Sequence, residues 1–337
     1  MKYPDFIKKG ECIGVPAPSG GAWNEKKATK FENASKNISE LGYKLILSDN
    51  LHSNEMGRSA DAKIRGEEFN EMLKNPDIRL VLCATGGDFL LEMLPYVDFN
   101  LLKDNLKLIA GFSDPTGLLY PITTKYDIAT LYGQNFSPFG MEKLHESQNN
   151  FLEIVKGNIV EQKSFDKYEN EFLDSITGLE YYNLDTKVKY KTLDNKDVNI
   201  KGRIIGGCLD LITELSGTKY DGTLSFIEKY KDDGIIWYFD NCELSMESFI
   251  RTMWKFNEMG YFKYTKGIIL GRFGEEKSYY DYDVKSCIED SVLSKLDFPI
   301  IYDADISHKG PCLNIINGSI MNVIVKDGKG SISFELV

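Results

Sequence analysis

Between residues 10 and 120, short apolar runs alternate with amphipathic stretches, and that alternation restricts the fold more than any other feature of the sequence. The expected order begins with a strand at Cys12-Ile13-Gly14-Val15, the turn Pro16-Ala17-Pro18-Ser19-Gly20-Gly21, a helix from Glu25 to Leu41 and a strand at Lys44–Leu47. A polar loop with His52 and Arg58 follows, then a helix from Ala60 to Leu73 that Asn75-Pro76 cannot continue. Arg79–Ala84 reads as a third strand, Thr85-Gly86-Gly87-Asp88 as a turn, Phe89 to Tyr96 as a helix, and Leu106–Phe112 as a fourth strand. Strands and helices spaced in this way build a parallel sheet covered on both faces, the flavodoxin or Rossmann-like arrangement. Ligands gather at the carboxyl ends of such strands, where Thr85-Gly86-Gly87 and Ser113 both fall.

Lys107–Tyr120, KLIAGFSDPTGLLY, carries the sharpest transition in the chain. An apolar run stops at Gly111-Phe112, and Ser113-Asp114-Pro115-Thr116 opens a helix with Pro115 near its first turn, where a missing N–H is harmless. On its own, Ser113 fits two readings: an N-cap, the commonest use of serine there, or a hydroxyl pushed out at the sheet edge with a helix behind it. The motif is not G-x-S-x-G.

From about Asn150 the texture changes. Tyr181–Ile200 alternates like antiparallel strands around an Asp194-Asn195 turn, and Arg203–Gly207 leads into a helix from Cys208 to Leu215. Gly234–Phe239 is a strand ending at Asp240, Met246–Met259 an amphipathic helix, and Gly267–Leu270 and Ile300–Tyr302 are buried strands. Gly318–Val337 alternates like an edge hairpin around Asp327-Gly328. The expected organisation is an N-terminal α/β domain over 1–150 and a C-terminal mixed α/β domain rich in strands over 151–337, the length suiting two cores.

A net charge of −11 repels polyanions, and no basic block interleaved with aromatics reverses this, so nucleic acid is not an expected partner. Charges interrupt every apolar run near the start, which predicts no signal peptide, and no stretch suits a membrane span. Six scattered cysteines without a C-x-x-C pair read as small buried hydrophobes of a reducing cytoplasm. A metal site and a cofactor are not expected, and the G-x-G-x-x-G dinucleotide signature is absent.

A serine nucleophile needs an imidazole and a carboxylate. Of three histidines, His145 reads as part of a solvated helix face, and His52 lies in a polar loop with no evident acid partner. His308 follows a strand, in the loop Asp305–Pro311, where a base can be presented. Asp240 and Glu243 are the first candidates for the acid, and Asp303 and Asp305 are others. Gly86 and Gly87 let backbone N–H groups approach an anion closely.

Taken in order, these segments resemble the serine LD-carboxypeptidase family, which includes muramoyltetrapeptide carboxypeptidases and microcin C immunity peptidases. The resemblance rests on Gly10-Glu11-Cys12-Ile13-Gly14-Val15-Pro16-Ala17-Pro18-Ser19-Gly20, on Ser59-Ala60-Asp61 with Arg65, and on Ala84-Thr85-Gly86-Gly87. It continues through Gly111-Phe112-Ser113-Asp114-Pro115-Thr116, Gly206-Gly207-Cys208-Leu209, Leu215-Ser216-Gly217-Thr218 and Gly267–Phe273. It implies a metal-free Ser-His-Glu triad divided between two domains, with Ser113 as nucleophile, His308 as base and the glutamate position on Asp240, one methylene short. Three readings follow for the acid: Asp240 through a shifted loop, which is favoured, Glu243 in its place, or an impaired site. The family's Arg-Gly-Gly is here Thr85-Gly86-Gly87, which removes the arginine.

The resemblance implies hydrolysis of a terminal L-to-D amide, as in release of D-alanine from a murein tetrapeptide during wall recycling. Backbone N–H groups of Asp114 and of Gly87 or Gly86 would hold the oxyanion. Within the same chemistry the alternative is a microcin C-type peptidyl or aminoacyl nucleotide, and outside it a small-anion binding protein without turnover. A cytoplasmic homodimer acting on a small peptide is expected.

Overall fold

The computed structural model describes residues 1–337 except Phe172. Two sheets organise it. The first has six strands in the order Ile315–Asn317, Thr130–Tyr132, Leu108–Gly111, Ile78–Leu82, Cys12–Val15 and Lys44–Leu47. The last five in that order run parallel, and Ile315–Asn317, from late in the chain, joins antiparallel to Thr130–Tyr132. Cys12–Val15 and Leu108–Gly111 are buried at every position, as expected for strands with helices on both faces, whereas the edge strand Lys44–Leu47 is largely exposed.

The helices obey ordinary end chemistry. Glu25–Glu40 begins where the Asn24 side chain accepts the Lys27 N–H, and it buries Phe31, Ala34 and Ile38 at three- and four-residue spacing. Ala62–Lys74 begins at Asp61 and ends at Asn75, before Pro76. The segment expected as a helix from Phe89 is a 3₁₀ turn, Leu90–Tyr96, with Pro95 inside it and unable to donate to an α ladder.

The second sheet has eight strands, centred on four parallel ones: Val198–Cys208, Ile235–Asp240, Thr265–Gly271 and Ile300–Ala304. The hairpin Ile320–Lys326 with Lys329–Glu335 pairs beside Val198–Cys208, turning through Asp327 and Gly328, both at positive φ. The antiparallel pair expected within Tyr181–Ile200 does not form. Lys191–Thr192 joins Ile300–Ala304 at the far edge, four strands away from Val198–Cys208, because each side satisfies its ladder with a more distant partner.

The helix Thr116–Tyr126 locks the two sheets together. Nine of its eleven residues are buried. Thr116 Oγ1 accepts the Cys208 N–H at 3.0 Å, and the Tyr120 hydroxyl meets Thr223 Oγ1 at 2.7 Å. The carboxyl ends of Leu108–Gly111 and Ile235–Asp240 therefore converge on one seam. Among the described residues no helix is long and apolar enough to cross a membrane.

Candidate active site

Ser113 stands just past Leu108–Gly111, at φ 71°, in the left-handed region that side chains avoid at a cost of about 1 to 3 kcal/mol. It is not the helix cap: the helix starts at Thr116 with Pro115 before it, and Thr116 N–H donates to the Ser113 carbonyl at 2.9 Å. The surroundings over-determine this turn. Asn135 clamps Phe112 by accepting its N–H at 2.9 Å and donating to its carbonyl at 3.0 Å. Asp114, fully buried, accepts from the Ser19 hydroxyl and, at 2.9 Å, from the Leu90 N–H, tying the 16–20 turn and the 3₁₀ segment to the base of the serine turn. Burial pushes the Asp114 carboxyl up to about 6.

Ser113 Oγ lies 2.8 Å from His308 Nε2, and His308 Nδ1 lies 3.0 Å from Asp240 Oδ1. A carboxylate only accepts, so Nδ1 carries a proton, and in the neutral ring Nε2 is left to accept from the serine hydroxyl. The His308 backbone N–H also donates to Asp240 Oδ1 at 3.2 Å, and the Tyr132 hydroxyl donates to Oδ2 at 2.7 Å. Asp240 is wholly buried, while the imidazole keeps 18% of its side-chain surface. Phe112 packs on that ring at 4.7 Å between centroids. Burial alone would lower the His308 pKa, but the charge and hydrogen bond of Asp240 outweigh it and hold it well above its ordinary value.

The shorter acid reaches without help. Glu243 is exposed, with its backbone N–H bound to Asp210 Oδ1 at 3.0 Å, and no hydrogen bond joins its carboxyl to His308 among the described residues. Asp303 pairs with Lys191 at 2.8 Å and Asp305 with Arg272 at 2.6 Å, so both are engaged elsewhere. His52 packs edge-on to Phe31 and makes no hydrogen bond to Ser113 among the described residues. His145 is a correction: it is a buried N-cap, accepting the Ser147 N–H at 3.1 Å amid Phe165, Tyr181 and Tyr182, and burial pulls its pKa down to about 4.

Gly86 stands against the serine. A Cβ there would lie 3.0 Å from Ser113 Cβ and 3.1 Å from its Oγ, which is tighter than ordinary contact. The N–H groups of Gly86, Gly87 and Asp114 donate to no protein acceptor among the described residues. Gly86→Ala should therefore lower kcat on the order of a hundredfold by displacing the hydroxyl, with Tm little changed. Kinetics and a melting curve on one preparation check this, and unaltered kcat would show that the serine tolerates the push.

A cleft of about 640 Å³ opens beside Phe112 and His308, with Lys30, Glu180, Tyr181 and Tyr182 among its walls. No group of three His, Cys, Asp or Glu side chains is arranged to hold a metal ion among the described residues. Sequence reasoning missed Tyr132, Asn135 and Asp210. Tyr132 and Asn135 sit at and after the end of the fifth parallel strand, so applying the carboxyl-edge rule to that strand as well points to them.

The family model described as the LD-carboxypeptidase N-terminal domain matches residues 13–133, and that of the LD-carboxypeptidase C-terminal domain matches 201–323. The chain is 27% identical over 322 residues to the microcin C7 self-immunity protein MccF of Escherichia coli, covering 91% of this chain and 88% of that protein. It is 24% identical over 235 residues to a probable murein peptide carboxypeptidase of Bacillus subtilis (strain 168), covering 68% and 66%. The crystal structure of an MccF-like protein from Bacillus anthracis str. Ames superposes with a TM-score of 0.84 over the whole of both chains, at 26% identity.

Proposed function

The chain belongs to the LD-carboxypeptidase family and is a serine peptidase, and from that premise we propose that it hydrolyses the terminal L-to-D amide of a murein tetrapeptide, releasing D-alanine through an acyl-enzyme. The observation that carries the reading is the unbroken hydrogen-bond chain from Ser113 through His308 to Asp240 at the mouth of an open cleft. In this reading residues 1–150 bring the nucleophile and 151–337 bring the acid and the base.

Ser113 Oγ attacks the scissile carbonyl carbon as His308 Nε2 takes the hydroxyl proton. The oxygen, now an anion, is held by the N–H of Asp114 and of Gly87 or Gly86. Collapse breaks the C–N bond, His308 returns its proton to the departing amine, and D-alanine leaves the acyl-serine. Water then repeats the sequence against the ester. Asp240 fixes the tautomer and stabilises the imidazolium; it never needs to be protonated.

Only neutral imidazole accepts the serine proton, so kcat/KM falls as pH drops through the His308 pKa. Because that pKa is raised in the folded enzyme, the acid limb should lie above 6.5, and Asp240→Asn should move it to lower pH. A pH profile of both enzymes tests this, and coincident limbs would remove Asp240 from its role.

A second reading, cleavage of a peptidyl or aminoacyl nucleotide, is favoured by the two tyrosine rings in the cleft, Tyr181 and Tyr182, 5.8 Å apart at 68°, which offer faces for a base. Incubation with a murein tetrapeptide and, separately, with a peptidyl adenylate analogue decides by mass. Loss of D-alanine supports the first reading, cleavage of only the adenylate the second, and neither product overturns both.

A further inference from the structure

The helix Glu25–Glu40 flanks the glycine turn, and Lys27 and Lys30, three residues apart, share a face of it. Lys27 Nζ donates to Thr85 Oγ1 at 2.9 Å and lies 4.7 Å from the Trp23 ring centroid and 5.5 Å from that of Phe31. Among the described residues it has no carboxylate partner at ion-pair distance, although the chain carries 51 acidic residues against 40 basic ones. Lys30 is likewise without an ion pair there and lines the cleft with Phe112 and His308. Burial, and then the neighbouring charge of Lys30, pull the Lys27 amine down to about 7.

Glu169 and Glu180 on the cleft wall face Lys30 and partly offset its charge, whereas half-buried Lys27 feels only the like charge of Lys30 among the described residues, so a partner for Lys27 has to come from outside the chain. The position says which anion. In a peptide cleaved at its last bond, the free carboxylate is three bonds from the scissile carbon, so whatever holds it must flank the oxyanion turn itself. Thr85, which receives Lys27, is the residue before Gly86, and Gly86 touches Ser113. No arginine stands at the head of this turn. Lys30, one turn further along the same helix, is the cation that lines the cleft itself.

We propose that Lys27, oriented by Thr85 and reinforced by Lys30, binds the free carboxylate of the departing residue and makes the enzyme specific for peptides that end in one. The assignment rests on the peptidase reading above. A site whose cation is left unpaired by a neutral ligand rejects that ligand strongly. The enzyme should thus prefer the tetrapeptide acid to its C-terminal carboxamide by roughly a hundredfold in kcat/KM. Lys27→Met should lose at least about tenfold on the acid, through KM, and little on the carboxamide. Lys27→Arg should keep the preference, and Lys30→Met should weaken it less than Lys27→Met does. Removing an unpaired ammonium should leave Tm unchanged or raised, which separates this role from a structural one.

A readout without turnover keeps the two ideas apart. Titration calorimetry of the Ser113→Ala protein with N-acetyl-D-alanine at pH 8, in two buffers of different ionisation enthalpy, should show proton uptake on binding, because a carboxylate stabilises the protonated amine. Adding Lys27→Met should abolish that uptake. If the wild type cleaves neither the tetrapeptide nor the peptidyl adenylate analogue but the uptake depends on Lys27, the peptidase reading fails and the anion subsite stands. Binding without uptake, equal uptake in the Lys27→Met protein, no binding, or an acid-to-carboxamide ratio unchanged by Lys27→Met would each overturn the proposal.

Discussion

Replacing Ser113 by alanine should reduce turnover of the tetrapeptide by about 10⁴-fold or more, leaving only the activity that binding and the oxyanion turn supply. The size of the effect follows from the geometry: no other hydroxyl reaches His308 Nε2 among the described residues, so no second nucleophile stands ready. The fold should tolerate the change. Alanine meets the same penalty at φ 71° as serine does, and the partly exposed imidazole can turn to water for its lost partner. A fluorophosphonate probe gives the answer without a substrate: the wild type should be labelled on Ser113 and the variant not at all. Equal labelling of the two proteins would show that the nucleophile lies elsewhere.

Asp240→Asn should cost about 10⁴-fold in kcat, close to the loss of the serine itself. Three donors converge on the two Asp240 oxygens: the His308 ring and backbone N–H groups and the Tyr132 hydroxyl. An amide offers one oxygen and brings two protons of its own. If its nitrogen faces His308, the ring turns to the tautomer that cannot accept the serine proton. Asp240→Glu should be milder, on the order of a hundredfold, because the charge survives but the added methylene enters a wholly buried site shaped around the shorter acid. Steady-state kinetics on the three proteins provide the ranking. An asparagine variant within tenfold of wild type would mean that His308 needs no anion, and a more active glutamate variant would mean that the pocket yields to the longer acid.

The parallel sheet was legible because its strands are short, apolar and regularly spaced, and parallel strands are buried on both faces. Ser113 was legible as a place where a strand stops abruptly. Its left-handed backbone was not, since the turn is held by Asn135 and Asp114, which pair with groups distant in sequence. His145 misled because its polar neighbours match a solvated helix face; the rings of Phe165, Tyr181 and Tyr182 that bury it come from a later stretch. The acid was ambiguous for a related reason. Asp240 and Glu243 are three residues apart, and Asp210, from another element, fixes the loop between them by accepting the Cys242, Glu243 and Leu244 N–H groups.

The late strand Ile315–Asn317 has a consequence for how the protein is made. Its ladder covers the outer side of Thr130–Tyr132, so on the ribosome that strand of the sheet carrying Ser113 stays unpaired on one side until residue 317 has emerged. His308 arrives in the same short span of translation. A nascent chain therefore carries Ser113 without His308 for most of its synthesis, and the residue that completes the hydrogen-bond chain from Ser113 to Asp240 arrives together with the strand that covers Thr130–Tyr132.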